Sequence, residues 1–166
     1  MKISAVAGLI FVTLLLVHCK KSSDTPGHLN CDGLITDTLG TGDNAKVYMP
    51  NAFTPNSDGL NDISRPFLQN VTSFAFSIYD SNNNVVFTTT TPGQGWLTTA
   101  SPNTRTTYYY KIQVTTANGH HIGKCGELYK LTCFPNSIPK SSLYFEDQLT
   151  PGGFIGATAE SMGTCP

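Results

Sequence analysis

The sequence predicts an all-β fold, a small antiparallel β-sandwich followed by a C-terminal tail that a disulfide holds in place. Three observations lead to this prediction. Apolar and polar residues alternate in several short segments. Turn-forming stretches rich in Asn, Asp and Gly separate these segments at spacings of about 8–12 residues. No segment carries the period of an amphipathic helix, so helical folds are excluded.

The first predicted strands lie between Lys46 and the middle of the chain. "KVYMP" is a short strand that Pro50 ends. "SFAFSIYD" alternates and places Phe74, Phe76 and Ile78 on one face. The turn "SNNN" and the segment "VVFTTTT" follow, so these two strands predict a hairpin.

A second pair of strands follows. "TTYYYKIQVTTANG" ends in an Asn-Gly turn, and "GELYKLTCF" is the next strand. On the first of these, one face carries Tyr108, Tyr110, Ile112 and Val114. The remaining residues are rich in Pro and Gly, and we expect a wrapped tail with an edge strand around Leu143 to Phe145.

The N-terminal residues predict export and a lipid anchor. An apolar run extends from Ile3 to Val17 after a single positive charge, which is too short for a bilayer span of about 20 residues and typical of a signal peptide. Leu16, Val17 and Cys19 resemble a lipoprotein cleavage site, whereas His18 departs from it. The alternative is ordinary signal-peptidase cleavage nearby, with Cys19 as a spare thiol. We therefore expect a signal peptide at 1–18, lipidation of Cys19 and a polar tether at 19–45. The predicted location is the cell envelope, at the outer membrane or cell surface.

Composition and motifs exclude several function classes. The formal net charge is −1 with no basic patch, so a nucleic-acid partner is not expected. No Ser-His-Asp order, glycine-rich phosphate loop or paired-carboxylate motif stands out. We expect a protein that is not an enzyme and that needs no catalytic cofactor.

Apart from Cys19, four cysteines remain, an even number that predicts two disulfides in an exported protein: Cys31, Cys125, Cys133 and Cys165. Cys125 and Cys133 are separated by a predicted strand, which would place them roughly 26 Å apart. This spacing excludes a Cys125–Cys133 bond and leaves two pairings. Of these we favour Cys31–Cys125 with Cys133–Cys165, because the second bond would fasten the tail to the preceding strand.

The order of the segments resembles a known family. "MPNAFTPNSDGLND" is followed by "FAFSIYD", "VVF", "GQGW", "YYYKIQV" and "GELYKL", over about Val47 to Leu131. This order resembles the gliding-motility-associated C-terminal domain, the type B sorting domain of type IX secretion. The resemblance implies a small Ig-like β-sandwich, which we place at 46–133, with a C-terminal extension at 134–166.

The sequence also departs from that family, and the departures shape the functional hypotheses. A sorting signal of this kind ends the polypeptide, whereas here a further segment with two cysteines follows Leu131. We therefore expect a non-catalytic envelope lipoprotein whose sandwich acts as a surface structural or interaction module. Its partners would be the membrane, through the lipid, and an envelope or surface protein or a glycan. The alternatives are a sorting or accessory domain of type IX secretion and a glycan-binding module.

One loop is a candidate cation site. In "PNSDGLND", short oxygen-bearing side chains surround Gly59, and these are Asn56, Asp58, Asn61 and Asp62. Such side chains suit a hard cation, so a weak structural Ca²⁺ is one interpretation. The other is a turn whose Asn and Asp side chains bond their own backbone.

Two further features have ordinary explanations. His120 and His121 are adjacent on an extended chain and point apart, and no carboxylate lies at ligand spacing, so we expect no metal site there. Trp96 is expected in or beside the core, the alternative being a platform for stacking a sugar.

Overall fold

The computed structural model describes residues 30–100 and 104–166. The predicted signal peptide and Cys19 lie outside the described residues. The described residues form no α-helix, and neither of their short 3-10 helices is long enough to cross a bilayer. Their strands and two short 3-10 helices are β1 (Lys46–Tyr48), β2 (Ala52–Phe53), β3 (Ile63–Ser64), β4 (Phe67–Gln69), β5 (Val71–Tyr79), β6 (Val85–Thr89), β7 (Trp96–Leu97), β8 (Arg105–Thr116), β9 (His121–Leu131), η1 (Lys140–Ser142), η2 (Glu146–Gln148), β10 (Leu149–Thr150) and β11 (Gly153–Phe154).

The main layer is a five-stranded sheet in the order β2-β9-β8-β5-β6. The two predicted hairpins are confirmed, since β5 pairs with β6 and β8 with β9, both antiparallel. The short β2 is the exception, because it runs parallel to β9. The alternation in the sequence sets this layer, since one face of each long strand is apolar.

The second layer consists of two short antiparallel pairs, β1 with β4 and β3 with β7. The core lies between the layers. Phe76, Ile78, Ile112, Val114 and Leu128 from the main sheet are fully buried there. Val47, Leu68 and Trp96 reach the same cluster from the second layer. The protein is therefore the small Ig-like β-sandwich that the sequence predicted.

The end of the predicted tether, 30–45, packs against the sandwich. Asp37 donates its backbone N–H to the carbonyl of His121 at 3.0 Å, and the Thr36 hydroxyl bonds both the N–H and the carbonyl of Gly123. These groups belong to the part of β9 that β2 does not cover. The segment thus occupies a strand edge that would otherwise be open to pairing with another chain.

The extension that follows β9 packs onto the end of the sandwich and forms a second apolar cluster. Phe134, Leu143 and Phe145 are buried there against Ala52 and Leu131. The expectation of an edge strand around Leu143 to Phe145 is wrong. That stretch is extended and its Tyr144 carbonyl accepts two backbone N–H bonds, but no ladder follows because a 3-10 helix begins at Glu146.

Two disulfides fasten these segments. Cys31 is bonded to Cys125 and Cys133 to Cys165, which is the pairing favoured from the sequence because it fastens the tail to the preceding strand. The first joins the N-terminal segment to β9. The second holds the end of the extension beside Phe134, whose backbone also bonds Gly163 and Cys165.

Candidate functional site

The loop between β2 and β3, residues 54–62, contains the most distinctive motif of the sequence and is called the motif loop below. Phe53 at its base is 1 % exposed. The loop turns through positive φ angles at Ser57 (67°), Gly59 (88°) and Asn61 (54°). At its ends the Thr54 N–H donates to the Asn61 carbonyl at 2.8 Å. This conformation explains the Gly and Asn residues, which tolerate the left-handed region better than others.

The acidic side chains of the loop accept hydrogen bonds from its own backbone. The two carboxylate oxygens of Asp62 accept the N–H groups of Ser57 (2.7 Å) and Gly59 (2.8 Å). Asp58 accepts the Leu60 N–H at 2.8 Å through Oδ1 and the Asn56 side-chain amide at 2.8 Å through Oδ2. The loop is thus an Asx-turn network that is satisfied without an ion.

The fourth candidate ligand points elsewhere. Asn61 is 5 % exposed and turns toward the extension, where its amide donates to Glu160 Oε2 at 3.2 Å and its oxygen accepts the Asp147 N–H at 3.0 Å. The structure therefore brings Asn56, Asp58 and Asp62 together and leaves Asn61 out of that group. A weak cation site on the loop stays a prediction, and it would have to share oxygens that already accept N–H bonds.

Glu160 occupies a polar socket in the motif loop. Its Oε2 accepts the Thr54 hydroxyl at 2.6 Å as well as the Asn61 amide, and the residue is 8 % exposed. Buried polar groups are costly unless paired, so each of these side chains needs the others.

The other two acids of the extension also hold it in place. Glu146 accepts two bonds from the Arg65 guanidinium, at 2.9 and 2.5 Å. Asp147 accepts the Thr158 hydroxyl and the Ala159 N–H, which shapes the approach to Glu160. Sequence reasoning missed all three acids as docking residues. Their signal was that the extension contains only these three acids, Glu146, Asp147 and Glu160.

The histidines have carboxylate partners that spacing along the chain did not reveal. His120 Nδ1 lies 2.6 Å from Asp43 Oδ2, and His121 Nδ1 lies 2.9 Å from Asp37 Oδ2. The expectation that no carboxylate lies near them is wrong, because the partners come from the N-terminal segment folded alongside β9. Each ring meets a different carboxylate. Within 30–100 and 104–166, no three His, Cys, Asp or Glu side chains converge as a metal group.

The two aspartates are held in their charged form. The Thr116 hydroxyl, with the Gly40 N–H and His120, lowers the pKa of Asp43 to about 2, against the opposing effect of burial. The backbone and side chain of His121 lower the pKa of Asp37. These contacts fix the N-terminal segment to the β8–β9 turn.

Trp96 lies where a structural residue was expected. It is half-buried and packs against the core, with ring centroids 5.5 Å from Phe53 and 4.8 Å from Tyr108. Trp96 is therefore part of the packing at the edge of the core.

One known protein family matches a large part of the chain. The family model of the CHU_C type IX secretion signal domain matches residues 47–129, from β1 into the last third of β9. No curated protein and no solved structure matched the chain. The matched residues include the motif loop and both hairpins, and cover half of the chain. The chain therefore belongs to the family of type IX secretion signal domains.

Proposed function

We propose that this protein is a non-catalytic, lipid-anchored module of the cell envelope, whose secretion-signal domain acts as a structural or interaction unit. The observation that carries the proposal is the docking of the extension on the motif loop. The side chains of Thr54 and Asn61 both donate hydrogen bonds to Glu160. A machine that recognised these motif residues would have to displace a buried carboxylate.

The apolar contacts of the extension support the same conclusion. Phe145 is 1 % exposed and Leu143 is 2 % exposed, so undocking the extension would move both side chains into water. Burying a side chain of this size stabilises a fold by about 1.5–3 kcal/mol. The Cys133–Cys165 bond adds a covalent restraint. The extension therefore behaves as part of the domain.

The non-catalytic part of the proposal rests on what the polar clusters do. The histidine–aspartate pairs fasten the N-terminal segment, and the carboxylates of the motif loop cap its backbone N–H groups. In both cases the groups that could do acid–base chemistry are engaged in holding the chain. The partner that fits such a module is an envelope protein or a glycan, for which a pull-down from envelope membranes is the direct search.

The anchor is tested by fractionation. The apolar run that ends at Cys19 supports acylation of that thiol. Replacing Cys19 with alanine should move the protein from the membrane fraction to the soluble fraction. Cys19→Ser serves as a second variant with the same expected outcome. Unchanged membrane partitioning of both variants would refute the anchor.

Membership of the family favours a second candidate function, that of a working sorting signal. A reporter enzyme with its own export signal can be fused to residues 30–166 in a bacterium that has type IX secretion. Our proposal predicts that the reporter stays in the periplasm, while a fusion to a native signal domain of the same bacterium reaches the surface. Arrival of our fusion at the surface would establish the sorting function instead.

A further inference from the structure

A pocket of about 300 Å³ lies between the main sheet and the β10–β11 hairpin of the extension. This is the lower end of the range for small-molecule sites. Its walls are mostly aromatic and carry a single charge, and the side chains that line it include Tyr48, Tyr110, Lys124, Tyr144 and Phe154. Tyr48, Tyr110 and Lys124 come from the sandwich, and the other two from the extension. The pocket thus exists only where the two parts meet.

Two glycines give the tyrosines their positions. A Cβ on Gly126 would lie 2.7 Å from the Tyr110 hydroxyl, so the Tyr110 ring crosses β9 where no side chain stands. Gly153 has a φ of 128°, and a Cβ there would lie 3.3 Å from the Tyr48 hydroxyl. Burial raises the pKa of Tyr110 further above its ordinary value. Both tyrosines thus occupy space that a side chain at either glycine would take, and both line the pocket.

The extension adds exposed apolar surface to the rim. Phe154 is 60 % exposed and Tyr144 is 43 % exposed, and their rings meet edge to face with centroids 6.2 Å apart. Clusters of exposed aromatic residues beside a cavity are typical of binding surfaces.

The charge in the pocket is positive. Lys124 donates one hydrogen bond from Nζ to the Val47 carbonyl at 2.7 Å, and an ammonium group has two more N–H bonds to give. Among the described residues no carboxylate lies within ion-pair distance of it. A ligand that carries a carboxylate would supply the missing partner.

We propose that this pocket binds an acidic sugar unit, a pyranose ring that carries a carboxylate. Flat aromatic faces suit the C–H face of a pyranose, tyrosine hydroxyls suit its hydroxyl groups, and the Lys124 ammonium pairs with its carboxylate. Trp96 takes no part, because it is packed against Phe53 and Tyr108. The proposal does not depend on the anchor or on the route of export.

The test is calorimetric titration of the chain carrying Cys19→Ala, which should be obtained without lipid. The probe is tetragalacturonate, and maltotetraose is the neutral sugar of the same length. We expect tetragalacturonate to bind about tenfold more tightly than maltotetraose, the difference that one charge-assisted hydrogen bond produces. Absence of measurable tetragalacturonate binding, or equal binding of both sugars, would overturn the proposal.

Three single substitutions test whether the ligand binds in this pocket. Lys124→Met and Phe154→Ala should each weaken tetragalacturonate binding by about tenfold. Ile155→Ala should leave it unchanged, since Ile155 is also exposed at 64 % but does not line the pocket. Equal melting temperatures would show that all three variants are folded. If Lys124→Met and Phe154→Ala leave the affinity for tetragalacturonate unchanged, the ligand binds elsewhere and this pocket is refuted.

Discussion

At the scale of single residues, Glu160 makes the contact that joins the extension to the family motif. Its carboxylate accepts from the Thr54 hydroxyl and the Asn61 amide, and all three residues are buried. A buried donor that loses its acceptor costs its full desolvation energy. Any substitution that removes the Glu160 carboxylate should therefore lower the stability of the protein.

Replacing Glu160 with alanine should lower the free energy of unfolding by about 2–4 kcal/mol, since two buried donors lose their partner. Glu160→Gln retains a carbonyl oxygen and should lose less. Urea denaturation of both variants measures the difference. If Glu160→Ala unfolds at the same urea concentration as the parent, the socket does not contribute to stability.

A second residue-scale feature is the pH dependence of the contacts to Asp43. The pKa of Asp43 is lowered to about 2 from its ordinary value of 3.8, so the charged form is favoured by folding. A depressed pKa contributes stability that is present above the unfolded value and is lost as the pH falls through the folded value. The stabilisation should thus disappear between about pH 4 and pH 2.

We expect Asp43→Asn to flatten the pH dependence of stability in that window. Both proteins should be compared by thermal unfolding at closely spaced pH values, with Asp32→Asn as the control, because the Asp32 side chain lies at an exposed position. An equally steep fall in Asp43→Asn would assign the acid transition to other groups.

At the scale of elements, the motif loop is a turn that its own side chains hold together. Asp62 accepts two backbone N–H groups and Asp58 accepts one more. The same side chains were the candidate ligands of a cation. The two interpretations differ in whether an ion adds anything to a network that is already satisfied.

We expect millimolar Ca²⁺ to leave the melting temperature unchanged, because the carboxylate oxygens are already engaged. Asp62→Ala should lower stability by about 1–2 kcal/mol, as the loss of a capping side chain does. Thermal unfolding with and without Ca²⁺ tests both statements. A Ca²⁺-dependent rise that is lost in the double variant Asp58→Ala/Asp62→Ala would establish the cation site.

The N-terminal segment is a second element whose role is mechanical, because it covers the free edge of β9. Gly123 allows this close approach, since a Cβ there would lie 2.8 Å from the Cβ of Leu34 and 3.0 Å from the Ile35 carbonyl. The segment and the strand are therefore in close contact at Gly123.

Gly123→Ala should push the segment away from β9 while the Cys31–Cys125 bond keeps it tethered. Amide hydrogen exchange should then become faster at Asp37, whose N–H bonds the His121 carbonyl. Gly163→Ala is the matched control, because a Cβ there meets nothing within 4 Å. Unchanged exchange in Gly123→Ala would show that the segment accommodates the methyl group.

At the scale of the whole molecule, two disulfides fasten two additions to one sandwich. Cys31–Cys125 joins segments separated by 94 positions, and Cys133–Cys165 joins segments separated by 32. The extension beyond β9 therefore acts as a cover for the end of the sandwich.

Replacing Cys133 and Cys165 together with serine should lower the free energy of unfolding by about 2–4 kcal/mol. The last residues should become sensitive to proteolysis first, because without the disulfide they are held by two backbone bonds to Phe134 and by the Asn136 amide on the Cys165 carbonyl. Mass spectrometry of limited digests identifies the cleavage sites. Protection equal to that of the parent would mean that packing alone holds the extension.

The sequence by itself determined the sandwich. Alternation along β5 and β8 fixes which face of each strand is buried, and turn residues fix where each hairpin reverses, so local patterns suffice. The motif order identified the family, and the distance spanned by β9 excluded one disulfide pairing. Gly59 and its neighbours predicted a tight turn because only local backbone geometry is involved.

Only the tertiary structure decided which distant groups meet. Glu160 lies 106 positions from Thr54, and Asp37 lies 84 positions from His121, and no periodicity relates them. The aromatic pocket likewise joins strands of the sandwich to a hairpin of the extension. Such contacts depend on the path of the chain through turns and irregular segments. There, side-chain pairing, backbone hydrogen bonds and packing at the end of the sandwich together determine the arrangement.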